Sequence, residues 1–412
     1  MDDPSKIVAP SPDWLTAPGI TNAGKLVLAG NPVKIACDTW PNLADTGDYV
    51  VSVGETELFR GRYAAPFSKD ISEILECCAT VIPEIPCNNT TPLVSLGDAF
   101  VPQVDVHLRS SRLSPLPDIV SNHIVIYPLA GGVSKQNLRA CIEADKDIFD
   151  SRFLNRKLAF FLTVRSQSWL LSVRETELAP LYFIASEGDV LALKCAVSGE
   201  SVSFTCETSG FAALDLKAVR RKFAVDCGVW PSVLDIFYNG SVGCRIVIEE
   251  SAPARERYIL RFRNSLGVFE KLEITGELSD EVMPSEDAED TDTRTFRRFD
   301  TDVQDYVTFS QRRKLTHKYT VNKHVTEPRR MPLVADALAS DECWLSGKYF
   351  TEMKVIPEVE NFARTIAGNQ ICSLKWTFTP CEEDSHLMPE ITTAAGMKRP
   401  RIFSRQFQST FQ

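Results

Sequence analysis

Alternation of apolar and polar positions with a period of two runs through most of this chain and predicts strands. It is clearest over RYILRFRNSLGVFEKLEITGEL, residues 257–278. Tyr258, Leu260 and Phe262 fall on one face and Ile259, Arg261 and Arg263 on the other, because successive strand side chains point to opposite sides. Asn264-Ser265-Leu266-Gly267 supplies a turn, with Gly267 suited to positive φ. Val268, Leu272 and Ile274 return on one face, while Phe269, Glu270 and Lys271 give the return strand a mixed surface. The stretch reads as a hairpin with one buried side, part of a sandwich.

The same pattern places strands at 26–38, 49–62, 101–108 and 122–129, with a short helix at 69–79. Gly131-Gly132 closes this block, and 134–150 reads as helical or irregular. Strands resume with LAFFLTV (158–164) and SWLLSVRE (168–175), and continue through APLYFIA, DVLALKCAVS and SVSFTCET. A short helix near 214–223 interrupts them before SVLDIFYN and CRIVIEES. Roughly seven strands between 158 and 276, with turn residues every 8–12 positions, predict an antiparallel sandwich.

DEVMPSEDAEDTD, 280–292, is acidic and poor in apolar residues, which predicts an exposed loop. The chain therefore divides into a β-rich domain at 1–150, a β-sandwich at 151–279, an acidic linker at 280–293, an α+β domain at 294–386 and a tail at 387–412. The α+β domain opens on RTFRRFDTD and HKYTVNKHV, carries a helix at 331–341 and ends on strands at 352–356 and 371–379. The tail is basic, with Lys398, Arg399, Arg401 and Arg405, and is spotted with Phe403, Phe407 and Phe411. That spacing puts the phenylalanines on one face of a helix formed on docking; a disordered chain end is the competing reading. The expected class is mainly β and multi-domain, built of antiparallel sandwiches with a few short helices.

Composition narrows the function classes. At 412 residues more than one core is expected. A net charge of −10 argues against a general nucleic-acid binder. No stretch approaches the roughly 18 uninterrupted apolar residues of a membrane helix. The N-terminal segment is acidic, rich in proline and lacks an apolar core, so folding in the cytosol is expected. The 12 cysteines are then expected to be reduced thiols. Cys195 and Cys206 flank a hairpin and could face each other, but the same compartment disfavours a disulfide there.

Candidate chemistry is sparse. GITNAGKL, 19–26, has the glycine and lysine spacing of a phosphate loop, but Leu26 stands where Ser or Thr must hold Mg²⁺, and a strand follows in place of a helix. Among the histidines only His317 and His324 are near each other, and in a strand they do not converge on one ion. Glu175 and Glu177 would share one strand face about 7 Å apart, the one pair with glycosidase potential; Arg174 could pair with either. Arg297, Arg298, Arg312, Arg313 and Lys314 flank the acidic loop and are expected to pair within the chain or with a neighbouring copy. No catalytic, cofactor or metal site is expected.

Three pieces carry a resemblance: SVRETELAPLYF (172–183), RYILRFRNSLGVFEKLEITG (257–276), and KLTHKYTVNKHVTE followed by LVADALASDECWL. On these the chain resembles a family of uncharacterised Bacteroidetes phage and prophage proteins associated with virion tails or baseplates. VNKHVTE departs from that pattern, which has a Gly-containing turn there. The resemblance implies a structural virion component, made in the bacterial host cytoplasm, whose partners are its own copies and other virion proteins, without nucleic acid, membrane or cofactor. The interaction residues expected are Arg297, Arg298, Arg312, Arg313, Phe403, Phe407 and Phe411. The alternative is a β-sandwich that binds a carbohydrate or receptor such as a host-surface glycan. It needs exposed tryptophans, whereas Trp169 and Trp376 fall in apolar strands. An enzyme using Glu175 and Glu177 is the third reading.

Overall fold

A computed structural model describes residues 20–21, 26–37, 46–64, 67–86, 90–111, 119–144, 148–251, 253–284, 295–310, 315–348, 351–360 and 372–381. Strand outweighs helix, 50% to 16%, so the class is mainly β with few short helices, as the alternation predicts.

The first strands are β1 (Ile20–Thr21), β2 (Leu26–Leu28), β3 (Lys34–Cys37), β4 (Thr46–Val53), β5 (Thr56–Ala64), β6 (Phe67–Asp70), β7 (Leu93–Gly97), β8 (Val104–Ser111) and β9 (Ile119–Leu129). Helix α1 (Ser72–Glu76) precedes β7 and α2 (Lys135–Glu143) follows β9. Next come β10 (Ser166–Gln167), β11 (Leu170–Arg174), β12 (Leu181–Ala185), β13 (Val190–Cys195), β14 (Ser201–Thr205) and β15 (Gly210–Leu214). Helix α3 (Leu216–Cys227) leads to β16 (Val233–Tyr238), β17 (Ser241–Glu249), β18 (Arg257–Arg263) and β19 (Phe269–Thr275). The chain ends with β20 (Glu277–Pro284), β21 (Thr295–Asp300), β22 (Asp305–Ser310), β23 (Leu315–Thr326), helix α4 (Met331–Ala339), β24 (Cys343–Gly347), β25 (Met353–Glu360) and β26 (Cys372–Pro380).

One compact unit holds residues 1–279 and 320–378; a second holds 280–319 and 379–412. In the first unit a six-stranded sheet, β10-β11-β17-β16-β13-β14, shares a core with the three-stranded sheet β12-β15-β7 and with α3. That is the expected sandwich, except that β11 and β17 pair in parallel. The runs LYFIA and GFAAL are buried at every position. Their second face, carrying Tyr182, Ile184, Phe211 and Ala213, packs with Leu26, Leu28, Tyr127 and Leu129 into another core. A strand apolar on both faces needs cover on both, and residues before 150 supply it. The border expected at 150 is therefore crossed, both by this core and by β7 pairing with β15.

The alternating hairpin is present as read: β18 has strict in–out burial and pairs Leu260 with Leu272. It does not join the sandwich. It belongs to a seven-stranded sheet, β19-β18-β24-β25-β26-β23-β20, in which Leu260 also pairs with Leu345. Residues 320–378, expected in a separate C-terminal domain, thus lie in the first unit. VNKHVTE makes no turn, because β23 runs unbroken from Leu315 to Thr326. LAFFLTV is not a strand either: Ala159, Phe160, Phe161 and Leu162 are all buried, but the backbone bonds go to scattered partners, Ala159 N–H to the Ser168 carbonyl and Leu162 N–H to the Tyr182 carbonyl, and form no ladder. Cys195 and Cys206 are free. The hairpin register sets Cys195 beside Glu200 and Cys206 beside Asp189, at opposite ends, so they never face each other.

Gly210 shows how tightly β7 and β15 meet. Its φ is +121°, and a Cβ there would lie 2.4 Å from the Gly97 carbonyl carbon. Neither backbone nor space tolerates a side chain. Gly210→Ala is expected to lower stability by about 2–3 kcal/mol, read as a shift in urea midpoint at unchanged slope. An unchanged midpoint would refute this packing.

Candidate functional site

Among the described residues β19 ends its sheet, with β18 along one side only. On the other side its backbone groups point outward at every second residue, and an open edge of this kind invites a foreign strand. Three side chains occupy it. Arg165 Nη2 donates to the Lys271 carbonyl, Glu177 Oε1 accepts the Glu273 N–H at 2.7 Å, and His324 Nδ1 accepts the Thr275 N–H at 3.2 Å. Side chains from three distant segments take the place of a missing strand.

These caps belong to a buried ionic network. Glu177 sits in a single 3₁₀ turn, Glu175–Glu177, after β11. Arg165 Nη1 donates to Glu177 Oε2 at 2.7 Å, and Arg330 Nη2 donates to Oε1. Glu270 accepts from Arg165 Nε at 2.8 Å and Asn264 Nδ2 at 2.7 Å. Glu273 accepts from Arg174 Nη1 at 3.1 Å and from Thr176 Oγ1, and pairs with Arg257 at 3.0 Å. Burial by itself would raise the Glu177 pKa, but the Arg165 and Arg330 guanidiniums outweigh it and hold the carboxyl below its ordinary value. Burial likewise lowers the Arg330 pKa, against the pull of Glu177. His324 is driven down to about 4, first by burial and then by Arg174 and Arg330. It is therefore neutral, with its proton on Nε2 because Nδ1 is an acceptor, and its ring packs edge-on to Trp376.

A cavity of about 80 Å³ adjoins this network. Arg165 and Arg330 line it together with the apolar Val164, Leu170 and Leu333. Ser172, Glu249 and Arg329 complete the lining. Glu249 is held by Ser172 Oγ and by Arg329 Nη2, the latter at 2.8 Å.

The structure separates the two glutamates expected to share a strand face. The turn sends Glu175 outward to Arg220 Nη1 at 2.7 Å and Glu177 inward. A carboxylate clamped between guanidiniums, with its pKa lowered, is unsuited to donate a proton to a leaving group. Arg174 pairs with neither of them through its side chain; its guanidinium goes to Glu273. Arg297 and Arg298 lie exposed on β21. Arg312, Arg313, Lys314, Phe403, Phe407 and Phe411 lie outside the described residues. Trp376 is fully buried, but Trp169 is 53% exposed because it precedes β11 in a turn. Glu270, Glu273, Arg165, Arg330 and His324 were not anticipated. Only Glu270 left a signal: it is in phase with the buried Val268, Leu272 and Ile274. Among the described residues no His, Cys, Asp and Glu group could hold a metal ion, and no helix is long and apolar enough to cross a membrane.

No protein-family model matches this sequence, and comparison with curated proteins finds no match. One solved structure, described as "Ca2+-stabilized adhesin helps an Antarctic bacterium reach out and bind ice", aligns over 86% of this chain and 96% of its own. Identity is 9% and the TM-score 0.16, and a likeness at that score carries no argument.

Proposed function

We propose that the chain is a structural subunit of a bacteriophage tail or baseplate, working by assembly with its own copies and other virion proteins and not by catalysis. The ribbon β21–β22 of the second unit carries this reading. Phe299 and Tyr306 pair across it with ring centroids 5.4 Å apart, yet they are 45% and 64% exposed. Val303, in the connecting turn, is exposed as well. A two-stranded ribbon is marginal alone in water, and exposed aromatics grouped on one face mark an interaction surface. Register puts Arg297 on the face of Phe299 and Tyr306. An aromatic face carrying one arginine suits a copy of a chain whose net charge is −10, with charge setting orientation and the rings supplying affinity. The resemblance over residues 172–183 and 257–276 points the same way.

The test is molar mass by light scattering across a concentration series. The intact chain is expected to form a discrete oligomer, and a Phe299→Ser, Tyr306→Ser double variant to remain monomeric with unchanged circular dichroism. A strictly monomeric intact chain would overturn the self-assembly reading. A second reading, a glycan-binding module, is favoured by Trp169 and Trp230, which are 53% and 55% exposed. Against it, Arg220 already stacks 4.4 Å from the Trp230 ring centre, covering a face a sugar would need. A glycan array with signal lost in Trp169→Ala would establish that reading instead.

A further inference from the structure

Arg330 is buried, with 9% of its side chain exposed, and Nη2 on Glu177 is its single side-chain hydrogen bond among the described residues. A guanidinium carries five N–H donors, and no Arg330 nitrogen is both sealed from solvent and unpartnered, so the donors not used on Glu177 are open to a small molecule. They belong to a side chain that lines the 80 Å³ cavity. Neighbouring cations do not compete for an incoming anion's place. Arg165 has a protein partner on each guanidinium nitrogen, Nε on Glu270, Nη1 on Glu177 and Nη2 on the Lys271 carbonyl. Arg329 pairs with Glu249, the one acidic group among the described lining residues, and also with Glu327, so the Glu249 charge is partly offset where a second carboxylate would approach.

Size and walls select the occupant. One water needs about 10–15 Å³ of such space, so the cavity takes a group of roughly six heavy atoms. Val164, Leu170 and Leu333 form apolar walls, which suit carbon and not a fully hydrated inorganic ion. We propose that this cavity binds a small organic carboxylate, with Arg330 gripping the carboxylate and Val164, Leu170 and Leu333 packing its short carbon stem. This site is separate from the ribbon, and carboxylate binding there does not require the assembly reading. The same chemistry is offered by a free short-chain carboxylic acid and by an Asp or Glu side chain of another chain.

The experiment is thermal unfolding of the full chain in propionate, inorganic phosphate and chloride at matched ionic strength. Propionate is expected to raise the midpoint by about 3 °C over chloride once well above its dissociation constant, with phosphate giving less. Arg330→Gln should abolish the shift, but it also takes one of two counter-ions from Glu177 and is expected to cost stability. Leu170→Trp is the second arm: it fills the cavity from a half-exposed wall while leaving every charged residue in the sequence, and should abolish the shift in a folded chain. Equal midpoints in propionate and chloride, as expected of a cavity holding only water, would overturn the proposal. So would a propionate shift that survives Leu170→Trp. Light scattering in the same buffers separates the two sources. Dissociation of an oligomer by propionate identifies a neighbour's side chain as the natural occupant, and an unchanged mass with a retained shift identifies a free acid.

Discussion

Glu177→Leu is expected to destabilise the first unit by about 3–5 kcal/mol, enough to leave a marginally stable domain largely unfolded. The effect is large because three losses coincide. Arg165 and Arg330 lose a shared counter-ion while remaining buried. The Glu273 N–H loses its acceptor on the open side of β19. The Arg174 N–H, 3.3 Å from Glu177 Oε2, loses the contact that closes the turn. Glu177→Gln discriminates among these. It keeps an acceptor for the Glu273 N–H but removes the charge, so it should fall between leucine and the parent. Chemical denaturation of all three chains measures the order. A leucine variant as stable as the parent would show that the network is dispensable, as happens when a buried ion pair is replaced as a whole by apolar groups. Exposed ion pairs such as Arg60–Glu57 should give almost nothing by comparison.

Acid should unfold this protein through His324 well before its carboxylates are generally protonated. In the folded chain the imidazole is held to about 4, against 6.5 for an ordinary histidine. The unfolded chain therefore takes up a proton as pH falls through 6.5, while the folded one refuses it until about pH 4. Stability is complete above 6.5 and declines across that interval, by about 3 kcal/mol in total. Glu177 adds to the acid side, since its lowered pKa also makes protons favour the unfolded chain. The variant that isolates the histidine is His324→Gln, which offers an acceptor to the Thr275 N–H without titrating. Urea unfolding at steps from pH 7 to 4.5 should show a steep decline in the parent and a flatter one in the variant, by up to one proton. Parallel curves would rule out a neutral buried His324.

The hairpin at 257–276 shows how far local pattern reaches. Its turn, its buried face and its period are local facts, and the fold keeps all of them: Gly267 has a φ of +80°, and Tyr258, Leu260 and Phe262 are fully buried. Which sheet the hairpin joins is not local. Strand pairing depends on surfaces far apart in sequence, and β24, about 85 residues on, took the place beside β18. LAFFLTV failed as a strand for a related reason, since an apolar run says that a segment is buried and not what its backbone pairs with.

The site divides the same way. Glu270 could be read as buried from its phase with Leu272 and Ile274, because side-chain direction along a strand follows from covalent geometry. Glu177 could not: strand spacing puts it on one face with Glu175, and one 3₁₀ turn sends the two acids in opposite directions. Arg165, Arg330 and His324 are unremarkable in sequence, since a charge becomes a core residue only when its partner is placed within reach. Strand period, turn positions and the mainly β class were thus properties of the sequence by itself. The joining of residues before 150 to the sandwich, and the assembly of three buried glutamates with their arginines along the edge of β19, were decided by tertiary packing. Only there do distant charges meet at low dielectric, where each is tolerable solely because the other is present.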